Sequence, residues 1–176
     1  MAVVATSYVK INADAEKAAK AALRYLQYRA GYEGERIARP LFGIDGSMER
    51  HEFYHMIDQA PEKSIFFRFI LSPDPIGEDS QRDLPLRETT QLMVMALEDK
   101  IQKPIPWVAA IHDDHTDKRH VHVLAIVPQR LQVPHLQLLT TAATHACLEE
   151  RQELDLYARS RERELEREEA AWVLSL

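Results

Sequence analysis

The sequence predicts an α+β fold in which helices cover one face of a central antiparallel sheet and a long helix follows at the C-terminal end. Residues 64–71, SIFFRFIL, are aromatic and β-branched, which is typical of a buried strand. Residues 109–128 consist of two apolar stretches around a polar turn, which indicates a β-hairpin. Alanine-rich residues 16–30 instead repeat small apolar side chains at helical spacing. Strands and helices are therefore mixed along one chain.

Each element follows from its local pattern and its boundary residues. Asn12 or Asp14 can cap the first helix, and Pro61 ends the second. Pro104 and Pro106 end the third, immediately before the hairpin. In chain order the predicted elements are a strand at 2–11, a helix at 16–30, an extended segment at 37–42, a helix at 47–60, a strand at 64–71, a polar loop at 72–84, a helix at 86–103, the hairpin at 107–127 and a helix at 133–172.

Length and charge indicate one domain with a charged tail. The chain has 176 residues, of which 45% are hydrophobic and 28% charged, as in ordinary globular proteins. We predict a main folded domain at residues 1–148 and a charged helical extension at 149–176. The formal net charge of -6 argues mildly against nucleic-acid binding. That acidity is concentrated in residues 149–169, which carry nine acids and five bases.

Membrane insertion and secretion are not expected. No apolar run approaches the roughly 20 residues that span a bilayer, and no basic segment precedes the short apolar N-terminal stretch. Cys147 is the only cysteine, which suits a reducing cytosol. It lies in an alanine-rich helical stretch, so we expect a small buried residue and not a nucleophile.

The hairpin carries the residues with the clearest chemistry. His120 and His122 are two apart in a strand, so their side chains project from the same face. His112 ends the preceding strand, and an antiparallel hairpin brings it back beside them. Three converging imidazoles can bind a metal such as Zn²⁺, Fe, Ni²⁺ or Mn²⁺. Asp114 is placed to orient one of these ligands, whereas His115 in the turn is expected to face water.

A nucleophile is needed if the metal acts on a phosphoryl group. The chain lacks a glycine-rich phosphate loop and has few serines, but Tyr25, Tyr28 and Tyr32 lie on the first helix and just after it. A tyrosine hydroxyl can form a covalent phosphodiester with a nucleic acid. The alternative for each tyrosine is amphipathic packing, with the ring buried and the hydroxyl hydrated.

Taken together, these residues resemble the relaxase, or mobilisation nuclease, family of HUH endonucleases. The segment ALRYLQYRAGYEGERIARPLFGIDG resembles the family motif that carries the nucleophilic tyrosine. SIFFRFILSPD resembles the strand that follows in mobilisation proteins. WVAAIHDDHTDKRHVHVLAIV closely resembles the histidine motif, and the similarity covers most of residues 2–131.

The resemblance implies a bacterial, cytoplasmic enzyme that nicks single-stranded DNA at a transfer origin, with accessory mobilisation proteins as further partners. A tyrosine attacks the scissile phosphate and becomes joined to the 5′ end. His112, His120 and His122 match the ligands of Mg²⁺ or Mn²⁺. Asp114 matches an acidic residue with an orienting or proton-accepting role. Tyr25 best matches the nucleophile.

Other tyrosines and other functions remain open. Tyr28 lies one turn after Tyr25 and is the second candidate nucleophile, ahead of Tyr32 and Tyr8. Tyr157 would match replication initiators or transposases of the same superfamily, whose tyrosine follows the histidine pair. A histidine-triad nucleotide hydrolase needs a third histidine where Leu124 stands. A DNA-binding accessory protein that does not cut is the non-enzymatic alternative.

A DNA groove would need basic and aromatic side chains around this site. The candidates for stacking are Tyr28, Tyr32 and Trp107. The candidate basic residues are Arg24, Arg29, Arg36, Arg39 and Arg119.

Overall fold

The computed structural model describes residues 1–8, 14–30, 34, 37–113 and 118–174. Across these residues the chain forms six strands and four helices, so the predicted α+β class and the long C-terminal helix are confirmed. In chain order the elements are β1 (Val3–Tyr8), α1 (Ala15–Tyr28), β2 (Phe42–Gly43), β3 (Gly46–Ser47), α2 (Arg50–Asp58), β4 (Ile65–Ser72), α3 (Leu86–Ile101), β5 (Trp107–His112), β6 (His120–Val127) and α4 (Val133–Leu174).

The strands form one antiparallel sheet in the order β1-β4-β6-β5-β2-β3. The hairpin of β5 and β6 lies at its centre, as its apolar composition predicts. The register places His112 opposite His120 and Ala110 opposite His122. On its other side β6 pairs with β4, where Ile70 is opposite His122. His122 is therefore paired on both sides, whereas His120 is paired with β5 alone in this register.

Helices cover both faces of the sheet, so the prediction of helices on one face is wrong. One core joins alternate strand residues to α3 and α4, and it includes Phe67, Phe69, Val121, Val123, Met93, Leu97, Leu139 and Ala143. The second core joins the intervening strand residues to α1 and α2, and it includes Phe66, Val108, Leu124, Ile126, Leu23, Leu26, Phe53 and Ile57. Successive strand side chains point to opposite faces. A continuous apolar strand is therefore the pattern of a sheet buried on both sides.

Helix starts differ from their predicted positions. Ser47 belongs to β3, and α2 begins after Glu49. The carboxylates of Glu49 and Glu52 accept hydrogen bonds reciprocally from each other's backbone, which satisfies two N–H groups at the helix start. Asp14 precedes α1 without a side-chain capping hydrogen bond. Asn12, the other predicted cap, lies outside the described residues.

The longest helix, α4, has 42 residues. It passes position 148 without interruption, and the predicted boundary between a main domain and an extension stays a prediction. Of the helices in the described part of the chain, α4 included, none has the combination of length and apolar composition that crossing a membrane requires. Residues 9–11, predicted to end the first strand, lie outside the described ranges.

Candidate metal centre and the tyrosine helix

Three histidines converge on the face of the sheet that α1 and α2 cover. The ring centroids of His112 and His122 are 4.4 Å apart, those of His120 and His122 are 5.0 Å apart, and those of His112 and His120 are 5.3 Å apart. One nitrogen from each ring lies within 4.8 Å of the others. His112 is fully buried, whereas His120 and His122 are half-buried. The predicted convergence of these side chains is confirmed.

Backbone carbonyls orient two of these rings. Nε2 of His112 lies 2.9 Å from the carbonyl oxygen of Leu26, and Nδ1 of His120 lies 3.1 Å from that of Lys118. A carbonyl oxygen only accepts, so the facing ring nitrogen donates its hydrogen. In the neutral ring the lone pair is then on Nδ1 of His112 and on Nε2 of His120. Metal-bound histidines are commonly oriented by such a hydrogen bond to a carbonyl.

The donor set fits a transition metal. Three neutral imidazoles suit Mn²⁺, Fe²⁺, Ni²⁺ or Zn²⁺, whereas Mg²⁺ prefers oxygen ligands. The three histidines would hold such an ion by one nitrogen each, and coordination positions would stay open for a substrate oxygen. Asp114, predicted to orient a ligand, lies outside the described residues, as do His115 and Asp117 of the same turn.

Two arginines hold the ends of the hairpin turn to the loop before α3. Arg119 donates from Nη1 to both carboxylate oxygens of Asp79, at 3.1 and 3.3 Å, and from Nη2 to the carbonyl of Leu84 at 3.3 Å. At the other end of the turn, Arg82 donates to the carbonyl of Asp113 at 3.1 Å. The donors of Arg119 are thus engaged inside the protein. This arrangement supports a structural role, and the predicted role in DNA binding stays a prediction.

The end of α1, which carries two candidate tyrosines, contacts the histidine cluster through its backbone. Leu26, whose carbonyl faces His112, directly follows Tyr25 in the chain. Tyr25 is 49% exposed and Tyr28 is 39% exposed. Both line a cleft of about 500 Å³ together with Arg24 and Ala38. Three sequence-predicted residues therefore share one surface at the helix end that contacts the candidate metal centre.

Cations lie over these tyrosine rings. The guanidinium of Arg29 is 5.7 Å from the centre of the Tyr25 ring. The guanidinium of Arg50, on α2, lies 5.3 Å from the Tyr28 ring and 5.9 Å from the Tyr54 ring. Arg50 was not predicted as a site residue, because only the packing of α2 against α1 brings it to the tyrosines. No local sequence pattern contains that information.

Two predicted groove residues are buried instead. Trp107 is 4% exposed and packs edge-to-face on Phe42, with ring centroids 5.9 Å apart. Its predicted role in base stacking is wrong, because the ring belongs to the core. Arg39 is also buried, and it donates to the carbonyl of Arg29 at 2.7 Å. Tyr32 and Arg36 lie outside the described residues.

The remaining tyrosines of interest lie away from the histidines. Tyr8 is on β1, where its ring contacts Phe67, a residue of the core shared with α3 and α4. Tyr157 is on α4, which packs on the sheet face opposite the histidines. The geometry therefore does not favour either residue as a nucleophile beside the candidate metal centre.

The single cysteine, Cys147, is a residue of α4 and is buried in the core. Burial raises the pKa of the Cys147 thiol to about 12, so the thiol stays protonated near neutral pH. This position agrees with the expectation that Cys147 is a small core residue. It lies in the core on the side of the sheet opposite the histidines.

Comparisons with protein-family models, with curated proteins and with solved structures gave no match.

Proposed function

We propose that the protein is a metal-dependent nuclease of the relaxase class, which nicks single-stranded DNA and forms a covalent link between a tyrosine and the 5′ phosphate. The observation that carries the proposal is the junction of two parts. Three histidines converge on one point, and the carbonyl of Leu26 at the end of the tyrosine helix hydrogen-bonds one of them. The helix that carries the candidate nucleophiles is thereby joined to one of the three candidate metal ligands.

The chemistry follows from these groups. When bound by the three histidines, Mn²⁺ or Mg²⁺ would supply positive charge to a phosphoryl oxygen; the all-nitrogen donor set favours Mn²⁺. The phenol oxygen of Tyr25 forms a bond to phosphorus as the bond from phosphorus to the 3′ oxygen breaks. The phenolic proton passes to a base, for which Asp114 is the candidate, and the 3′ oxygen leaves as a hydroxyl after taking up a proton. Reversal of the same step rejoins the strand.

A basic and aromatic surface around the tyrosines supports single-stranded DNA as the substrate. Exposed tyrosine rings can stack with bases, and neighbouring guanidinium groups can bind phosphates. Tyr25 with Arg29 and Tyr28 with Arg50 provide both groups in pairs. Arg24 lines the same cleft. This local positive charge offsets the net charge of -6, most of which lies in the α4 tail.

Three alternatives make different predictions. A histidine-triad hydrolase would need a histidine at Leu124, which is instead buried against α1 and α2. A replication initiator or transposase would use Tyr157, on the helix that covers the other face of the sheet. A DNA-binding accessory protein would bind the strand without any covalent link.

Covalent trapping tests the proposal. The protein is incubated with Mn²⁺ and a 5′- and 3′-labelled pool of single-stranded DNA, and the products are separated under denaturing conditions. We expect a protein–DNA adduct that carries the 3′ label alone and disappears with EDTA or in His122→Ala. His145→Ala, which changes an exposed histidine on α4, is the matched control and should leave the adduct unchanged. Binding without an adduct would favour the accessory protein, and loss of the adduct in Tyr157→Phe would favour the initiator arrangement.

A further inference from the structure

The outer half of α4 is exposed on all sides. The first half of the helix packs on the sheet through Leu139, Ala143 and Cys147. Every residue from position 156 to position 170 is exposed. An isolated helix of this length is marginally stable in water. The segment is therefore either covered by another element or maintained only by its own side-chain pairs.

An apolar line runs along this exposed segment. Ala158, Leu165 and Trp172 are spaced by seven residues, and each step of seven shifts the position around a helix by only about 20°. Leu165 is 53% exposed and Trp172 is 64% exposed. Leu154 lies on the same side of the helix as this line. Cys147, seven residues before Leu154, also lies on that side and belongs to the core. The apolar line thus extends, into the exposed segment, the face by which α4 packs on the sheet.

Acidic side chains flank this line on both sides. Glu162, Glu166 and Glu169 lie along one flank, and Glu164 and Glu168 along the other. The arginines at 159, 163 and 167 follow a spacing of four on the opposite side of the helix. Arg161, near the line, is paired with Glu164 at 2.7 Å. A second copy of α4 docked on the same face would place glutamates against glutamates, which disfavours self-association.

We propose that the outer half of α4 is a docking face for a basic amphipathic helix of a partner protein. The apolar line would pack against a partner residue at every seventh position. Lysine or arginine side chains on both flanks of the partner would face the two rows of glutamates, as flanking charges do in paired helices. This inference is independent of the nuclease proposal, because the docking face and the histidines belong to different sides of the sheet.

Two synthetic helical peptides test the charge requirement on the full chain. Both have about three heptads with leucine at every seventh position; one has lysines on the flanks and the other has glutamates. Emission from Trp172 reports binding, because Trp107, the other tryptophan, is only 4% exposed. We expect saturable binding of the lysine peptide that weakens with added salt, and no binding of the glutamate peptide.

Two leucines of the same helix form a matched pair for the apolar requirement. Leu165→Glu changes the apolar line, whereas Leu156→Glu changes an exposed leucine on the opposite side of the helix. We expect Leu165→Glu to weaken binding about tenfold or more, and Leu156→Glu to bind as the wild type does. Equal binding of both peptides, or equal loss in both variants, would overturn the proposal. Light scattering of the protein without peptide provides another test. A dimer that Leu165→Glu dissociates would also overturn the proposal, because a second copy would then occupy the face.

Discussion

The buried Nε2 atom of His112 and the carbonyl oxygen of Leu26 are 2.9 Å apart, although 86 positions separate the two residues in the chain. This hydrogen bond joins the strand that carries a candidate metal ligand to the helix that carries the candidate nucleophiles. Removal of the imidazole would take this donor away from the Leu26 carbonyl. His112 thereby joins two elements of the fold, whereas His120 bonds the carbonyl of Lys118, only two positions away in the chain.

We predict that His112→Ala and His120→Ala both abolish metal binding but differ in stability. In the presence of EDTA, His112→Ala should lower the free energy of unfolding by about 2–3 kcal/mol, because it removes a buried hydrogen bond to the Leu26 carbonyl and leaves a cavity behind. His120→Ala, at a half-buried position, should cost less than about 1 kcal/mol. Urea unfolding and calorimetric titration with Mn²⁺ measure the two effects separately. Retained Mn²⁺ binding in either variant would exclude the site.

The choice of nucleophile can be tested by removing single hydroxyls. Tyr25→Phe should abolish the covalent DNA adduct, whereas Tyr28→Phe should keep it with at most about a tenfold loss of rate. Both substitutions keep the ring and its cation contact, so single-stranded DNA affinity should change little. Gel analysis of the adduct and anisotropy of labelled DNA give the two readouts. The opposite order of effects would assign the attack to Tyr28.

Arg50 should contribute to DNA affinity because it lies between two tyrosine rings on the α1 and α2 surface. Arg50→Ala is expected to weaken single-stranded DNA binding about tenfold and to reduce the slope of log affinity against log salt by about 0.7, the value for one phosphate contact. Arg87 is the matched control, because its guanidinium also lies over an aromatic ring, that of Phe42, but on the α3 side of the sheet. Equal losses in Arg50→Ala and Arg87→Ala would remove the assigned DNA surface.

The ion pair between Asp79 and Arg119 should be a strong stabilising contact of the hairpin. Both side chains are mostly buried, so Asp79→Ala leaves a guanidinium without its carboxylate and should cost about 3 kcal/mol of unfolding free energy. Asp58→Ala removes the exposed pair between Asp58 and Lys20 and should cost less than about 1 kcal/mol. Denaturant unfolding of the two variants compares them directly. Similar values would mean that the buried pair contributes no more than a surface one.

The raised pKa of Cys147 predicts a loss of stability at alkaline pH. Burial raises this pKa to about 12 from an ordinary value of 9.0. Below about pH 9 the thiol is protonated in both states, so its contribution is fully present. As the pH rises from about 9 to about 12, the unfolded thiol ionises while the folded one does not, and stability is lost. Cys147→Ala should flatten this decline in unfolding free energy. In native protein at pH 8 the thiol should resist iodoacetamide and react once urea is added; rapid native labelling would contradict its burial.

Local patterns predicted the hairpin and the histidine convergence well. The alternation of side chains along a strand and the reversal of the chain in a hairpin both depend on residues close together in the sequence. His112, His120 and His122 could therefore be placed together from sequence. The same reasoning failed for the layers of the fold. Apart from Arg68, residues 65–71 of β4 are apolar on both faces, and that pattern shows burial without showing which helix covers which face.

Long-range contacts explain what sequence could not predict. Arg50 contacts Tyr28 because α2 packs against α1. Asp79, in the loop before α3, contacts Arg119 although 40 positions separate the two residues in the chain. Trp107 has an aromatic ring of the kind that stacks on bases, but its position on β5 directs that ring into the core.

The length of α4 also affects how the protein moves through solution. With 42 residues and a rise of about 1.5 Å per residue, the helix is about 63 Å long, whereas a compact domain of this size has a radius of gyration of about 15 Å. The exposed half extends beyond the packed part as a rod. Friction then exceeds that of a sphere of 20.3 kDa, so a monomer should elute early in gel filtration and tumble anisotropically.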